Sequence, residues 1–189
     1  MSWGKFIATA GLFGAYIVKD TIPDEKIEIL RDNCNNLRDR AMIDFLLSTG
    51  IRVGELVRLN IDDIDFSERE CVVYGKGDKE RKAYFDAKTK IHLLNYIESR
   101  TDNNIALFVS LNKQHSRLTE SGVELRLREM GKKLGVEKVH PHKFRRTMAT
   151  RAIEKGMPIE QVQKILGHEQ IDTTLRYAMV NQNNVKLSH

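Results

Sequence analysis

The apolar positions along the chain follow two periods. Between Asn36 and Thr49 they fall at Ala41, Ile43, Phe45, Leu46 and Leu47, the spacing of a buried helix, and Gly50 follows as a C-terminal stop. Asp24 to Asn33 comes after Pro23 and opens with acids, which predicts another helix, and Val53 to Leu59 a short one. The period then shortens. Ile61 to Phe66 alternates apolar residues with acids, as a strand does, and Glu70 to Tyr74 and Arg81 to Phe85 are β-prone runs around a Gly-Lys-Gly-Asp-Lys turn, the pattern of a hairpin. Helical spacing returns over Lys88 to Arg100, Thr119 to Leu134, Pro141 to Glu154, Pro158 to Leu166 and Asp172 to Ala178. Pro141 and Pro158 suit first helical turns, and Gly135 and Gly156 suit helix ends. The predicted fold is mainly α with a small antiparallel β-sheet, an α+β class.

A length of 189 residues with 41% apolar composition supports one well-packed domain with at most a small appendage. The net charge of +5 is a weak pointer to a polyanionic partner, and its distribution says more. Residues 24–70 hold 12 acids and 7 bases, whereas residues 111–155 hold 12 bases and 5 acids. Charge alone does not separate a phosphate-binding face from ordinary surface variation. Two cysteines, Cys34 and Cys71, are too few for a disulfide framework and lack metal-ligand spacing, so a reducing, cytoplasmic setting is expected. The apolar stretch 6–18 is too short to span a membrane, and no small-residue cleavage site follows it. It reads as a buried lead-in. The expected organisation is a lead-in or upstream remnant over 1–22, a catalytic domain over 23–180 and a tail over 181–189.

Four short pieces carry candidate chemistry. The first is Thr49-Gly50-Ile51-Arg52-Val53-Gly54-Glu55-Leu56, where Arg52 follows a helix stop and starts the next helix. A guanidinium there can fork onto phosphate oxygens, though a lone Arg is more often structural. The second is Gly75 to Arg81, which sets Lys76 at a hairpin tip between two glycines. An ammonium on such a finger can protonate a leaving oxygen; the plain alternative is a turn, and the phosphate-binding Gly-x-x-x-x-Gly-Lys-Ser/Thr loop is absent. The third is His142-Lys143-Phe144-Arg145, which puts His142 and Arg145 three apart on one helix face. His140 makes a His-x-His pair with His142, but no third ligand stands at metal-binding spacing. The fourth is Leu166-Gly167-His168, with Tyr177 nine residues after His168. A phenol, with a pKa of about 10, is a poor nucleophile without cations or a base beside it. Asp62-Asp63-Ile64-Asp65 is the one acidic cluster and reads as a strand edge and turn.

Taken in this order and context, the Arg-x-Gly-Glu-Leu, Gly-Lys-Gly, His-x-x-Arg and Leu-Gly-His-x8-Tyr pieces resemble the tyrosine recombinases, the family of phage integrases and Xer-type recombinases. The resemblance runs from about Pro23 to about Val180 and implies that family's catalytic-domain fold. It implies that Tyr177 attacks the scissile phosphorus and forms a 3′-phosphotyrosyl link. Arg52 and Arg145 would then hold the non-bridging oxygens, Lys76 would protonate the departing 5′-oxygen, His142 would assist proton transfer, His168 would contact the phosphate, and Glu55 would brace the site. No metal or nucleotide cofactor and no membrane is implied. The implied partner is double-stranded DNA, engaged by a homo-tetramer. Two departures stand out. Arg146 follows Arg145 where many relatives carry His, and the 22 residues before Pro23 are too few for the N-terminal helical domain with which relatives clamp DNA. Two other readings stay open: a type IB topoisomerase-like activity, and a DNA-binding module without productive recombination.

Overall fold

The computed structural model describes residues 21–75, 77, 79–168, 170 and 173–175. Among them are seven α-helices and one small antiparallel sheet, the α+β class expected from the two periods. The helices are α1 (Asp24–Asp32), α2 (Leu37–Thr49), α3 (Val53–Arg58), α4 (Ala87–Glu98), α5 (Glu120–Lys133), α6 (Pro141–Glu154) and α7 (Ile159–Leu166). The strands are β1 (Ile64–Asp65), β2 (Glu70–Tyr74) and β3 (Glu80–Tyr84), in the order β1-β2-β3.

Helix α2 is the centre of the domain. It packs on α4, α6 and α1 and is buried on nearly every side. Its start is fixed by Asn36, whose side chain accepts from the Asp39 backbone N–H at 2.8 Å, and its end by Gly50 at φ 60. Asp86 and Thr119 cap α4 and α5 in the same way. Phe45 stands at the middle of the core, with ring centroids 5.8 Å from Phe85 and 6.2 Å from Phe108, and Tyr96 stacks on Phe108 at 5.6 Å. A second, smaller cluster of Met148, Ala149, Val162 and Leu166 joins α6 to α7.

Buried carboxylates are all matched by cations, as their desolvation demands. Asp39 pairs with Arg38 and Arg126 at 2.6 Å each, and Asp44 pairs with Arg31 at 2.5 Å and with His92. Burial alone would raise the Asp39 pKa, but Arg38, Asn36 and Arg126 outweigh it and hold the carboxyl below its ordinary 3.8. Cys34 and Cys71 are free thiols that burial pushes up to about 12, so neither is a thiolate at neutral pH.

Local differences from the sequence expectation have local causes. Ile61–Asp63 is a 3-10 turn, not a strand, because the Asp63 carboxylate accepts the Asn60 N–H at 2.7 Å and curls the segment; only Ile64–Asp65 pairs in the sheet. Strand β3 begins one residue early, at Glu80, and Phe85 leaves it to enter the core. Pro141 occupies the first turn of α6, whereas Pro158 precedes α7 as its N-cap. Of the helix expected over Asp172 to Ala178, the described Thr173, Thr174 and Leu175 are helical. Ile22 is buried, and its N–H donates to the Thr147 hydroxyl at 2.9 Å, tying the segment before α1 to α6.

Candidate active site

The last turn of α7 ends in carbonyls that have no partner within the helix. Three arginines from three other elements take them in succession. Arg81 of β3 donates to Ile165 O at 2.8 Å, Arg145 of α6 to Leu166 O, and Arg52 of the α2–α3 junction to Gly167 O at 3.3 Å. Helix C-termini carry partial negative charge, which favours guanidinium groups there. The three cations lie far apart in sequence, and the end of α7 brings them together.

Arg145 also donates to Gly50 O at 2.6 Å, so its buried guanidinium closes the ends of both α2 and α7. Gly50 exposes that carbonyl because it adopts the left-handed conformation. Gly167 is left-handed as well, at φ 61, and a Cβ built there would lie 2.7 Å from Arg81 Cδ and 2.8 Å from its Nε. Only glycine leaves room for Arg81 to pass beneath this turn.

Glu55, one turn into α3, joins the cluster from below. Its carboxylate accepts from the Arg52 backbone N–H at 2.7 Å, from Arg52 Nη1 at 3.0 Å and from Arg81 Nη2 at 2.5 Å. Glu55 thus contacts two arginines. Arg81 had no role in the sequence reading. A signal was present: Arg81 and Ala83 occupy the inward positions of β3, paired with Val73 and Cys71 of β2, and an inward arginine requires a buried anion.

His168 follows directly. Its Nδ1 lies 2.9 Å from the hydroxyl of the fully buried Thr174. Burial, then the charges of Arg145, Arg52 and Arg81, push its imidazole down to about 4 from the ordinary 6.5. His168 is therefore neutral at physiological pH. Arg52, Arg81, His168, Gly75 and Thr173 line an open cleft of about 520 Å³. The Arg52 side chain remains 39% exposed there, while that of Arg81 is 11% exposed.

Of the six residues singled out in the sequence, Arg52, Arg145 and His168 come together. His142 stands exposed on the first turn of α6, its ring 6.4 Å from that of His140. No hydrogen bond or ion pair among the described residues joins it to the cluster, because Arg145 points inward to Gly50 while His142 faces outward. Lys76 and Tyr177 lie outside the described residues; the hairpin base beside Lys76 is closed by the Gly75 N–H donating to Lys79 O at 2.9 Å. Among the described residues, no three His, Cys, Asp or Glu side chains are grouped to share a metal ion.

The chain has known relatives in sequence and fold. The profile of the phage integrase family matches residues 21–184. Over 173 residues the chain is 37% identical to the tyrosine recombinase XerC of Staphylococcus aureus, an overlap covering 86% of this chain and 57% of that relative. The crystal structure of XerA recombinase superposes with a TM-score of 0.76 at 35% identity, over 84% of this chain and 59% of that one. XerH site-specific recombinase, in its pre-cleavage complex with difH substrate, gives a TM-score of 0.69 at 25% identity, over 84% and 49%. The chain thus spans somewhat more than half the length of the XerC relative. With a family profile across most of its residues and a fold shared with XerA, the chain belongs to the phage integrase family.

Proposed function

We propose that this chain is the catalytic domain of a tyrosine-type site-specific DNA recombinase. The observation that carries the reading is the convergence of Arg52, Arg81, Arg145 and His168 at the end of α7, where Arg52, Arg81 and His168 line one open cleft beside the hairpin base, Arg145 is buried next to them and Glu55 contacts Arg52 and Arg81. Phosphoryl transfer concentrates negative charge on the non-bridging oxygens. Preplaced donors stabilise that charge without reorganising, each contributing about 3–4 kcal/mol. Two fixed guanidinium groups suit two such oxygens. His168, neutral at physiological pH, adds a hydrogen bond and not a further charge.

In the reaction so assigned, the Tyr177 oxygen forms a bond to phosphorus as the bond from phosphorus to the 5′-oxygen breaks. The phenolic proton leaves with help from His142, and Lys76 delivers a proton to the departing 5′-oxygen. The 3′-phosphotyrosyl link retains one phosphoester for another, so a free 5′-hydroxyl can reverse it and rejoin a strand. Double-stranded DNA is the substrate, with residues 23–180 as the catalytic domain, 181–189 as a tail, and a homo-tetramer as the assembly that exchanges strands.

Covalent capture on a library of nicked duplexes tests this. Wild-type chain should accumulate a denaturant-resistant protein–DNA adduct on a defined subset of sequences, and Tyr177→Phe should bind the same duplexes without forming it. Relaxation of any supercoiled plasmid without sequence preference would point to topoisomerase-like activity instead. Binding with no adduct on any duplex would leave a DNA-binding module.

A further inference from the structure

We propose that Arg81 is a positioning residue for the phosphate site: by holding one oxygen of Glu55, it lets that carboxylate steady Arg52 without neutralising it. The consequence for cleavage rests on the recombinase reading above; the consequence for anion binding does not.

Two guanidinium groups compete for one buried carboxylate, and the division is unequal. Arg81 takes Glu55 Oε2 at 2.5 Å and Ile165 O at 2.8 Å. Arg52 takes Glu55 Oε1 at 3.0 Å and Gly167 O at 3.3 Å. The short contacts belong to the buried side chain and the long ones to the exposed side chain. The carboxylate's charge is therefore spent mainly on Arg81, and Arg52 meets the cleft with most of its own charge. Electrostatically, two cations and one anion leave one net positive charge. Without Arg81, Arg52 and Glu55 would cancel, and the second carboxylate oxygen would keep the Arg52 backbone N–H but lose its countercharge, so that its charge would repel a phosphate at the cleft.

Two further observations mark Arg81 as built for this place. Its Nε is buried with no hydrogen-bond partner among the described residues, a cost the fold tolerates here. Gly167 is left-handed and so close to the Arg81 side chain that any Cβ would displace it. An arginine suits the task because its planar fork spans a carboxylate and a carbonyl at once.

The test uses the full chain and inorganic phosphate, followed through the side-chain nitrogen resonances of Arg52, with thermal melting to establish that each variant is folded. Wild type should show saturable shifts at Arg52. Arg81→Gln should weaken phosphate binding by about tenfold, the factor of one charge-assisted hydrogen bond. Adding Glu55→Gln to Arg81→Gln should restore it to within about threefold of wild type, since no carboxylate then remains to cancel Arg52. If Arg81→Gln does not fold, Arg81→Lys carries the test, because it keeps the countercharge and should bind phosphate like wild type. Unchanged binding in Arg81→Gln overturns the proposal. So does a folded double variant no better than the single one, a folded Arg81→Lys that has lost binding, or a wild type whose Arg52 resonances ignore phosphate. The rate of covalent adduct formation should follow the same order. A wild type that forms no adduct on any DNA while the phosphate series holds would remove the recombinase reading and leave Arg81's role intact.

Discussion

Arg145 donates to the carbonyl of Gly50, 95 positions earlier, at 2.6 Å. The same guanidinium reaches Leu166 O, so one buried side chain closes the C-termini of α2 and α7 together. Stability and the proposed phosphate site share this group. Arg145→Gln should cost about 2–3 kcal/mol in urea denaturation with an unchanged m value, because two helix-terminal carbonyls lose a charged donor. It should also abolish adduct formation. Arg145→Lys keeps the charge but not the fork, and should recover less than half of the lost stability.

Gly167 and Gly135 form a controlled pair. Both are left-handed, at φ 61 and 64, but an added Cβ meets Arg81 at the first and nothing within 4 Å at the second. Gly135→Ala should cost about 1–2 kcal/mol through backbone conformation alone and leave phosphate binding unchanged. Gly167→Ala should cost more and also weaken phosphate binding, because Arg81 must move. Equal effects of the two substitutions on binding would separate Gly167 from the site.

His168 makes stability depend on pH in a definite direction. Its folded pKa of about 4 lies below the ordinary 6.5, so the unfolded chain binds the proton more readily between those values. The contribution is fully present above about 6.5 and is lost as pH falls toward 4. Asp39, held below its ordinary 3.8, acts at lower pH, so the two windows separate. Denaturation measured at pH 7 and pH 5 should show a drop in wild type that is smaller in His168→Asn.

Phe45 carries the aromatic centre of the core, touching Phe85 and Phe108. Phe45→Ala should cost about 3–5 kcal/mol by denaturant melting. A loss below about 1 kcal/mol would mean that the site can collapse around the gap.

Much of this was legible in the chain because local signals and tertiary packing agree. Pro141 opens α6 at the expected residue, and Gly50 ends α2 where the apolar period stops. At 61–63 alternation misled, because a capping carboxylate at Asp63 outweighs a strand-like pattern over so few residues. Arg52, Arg145 and His168 were identified from their motifs, but the motifs do not show what holds them. For the two arginines that task falls to bare carbonyls at the end of α7, Leu166 O and Gly167 O, and a backbone group has no letter in a sequence; His168 meets the Thr174 hydroxyl instead. Arg81 was missed for a related reason: its partners, Glu55 and Ile165, lie 26 and 84 positions away. His142 and Arg145 share a helical spacing, yet one faces outward and the other inward. Three-residue spacing fixes a side of the helix and not the reach of a long side chain.

Peptide mapping of the trapped protein–DNA complex bears most directly on the central claim, that the arginine-lined cleft serves a phenolic nucleophile. After nuclease and protease digestion, the residual nucleotide should be found on the peptide containing Tyr177, linked through its phenolic oxygen. A nucleotide on any other residue, or an adduct that persists in Tyr177→Phe, would contradict the account.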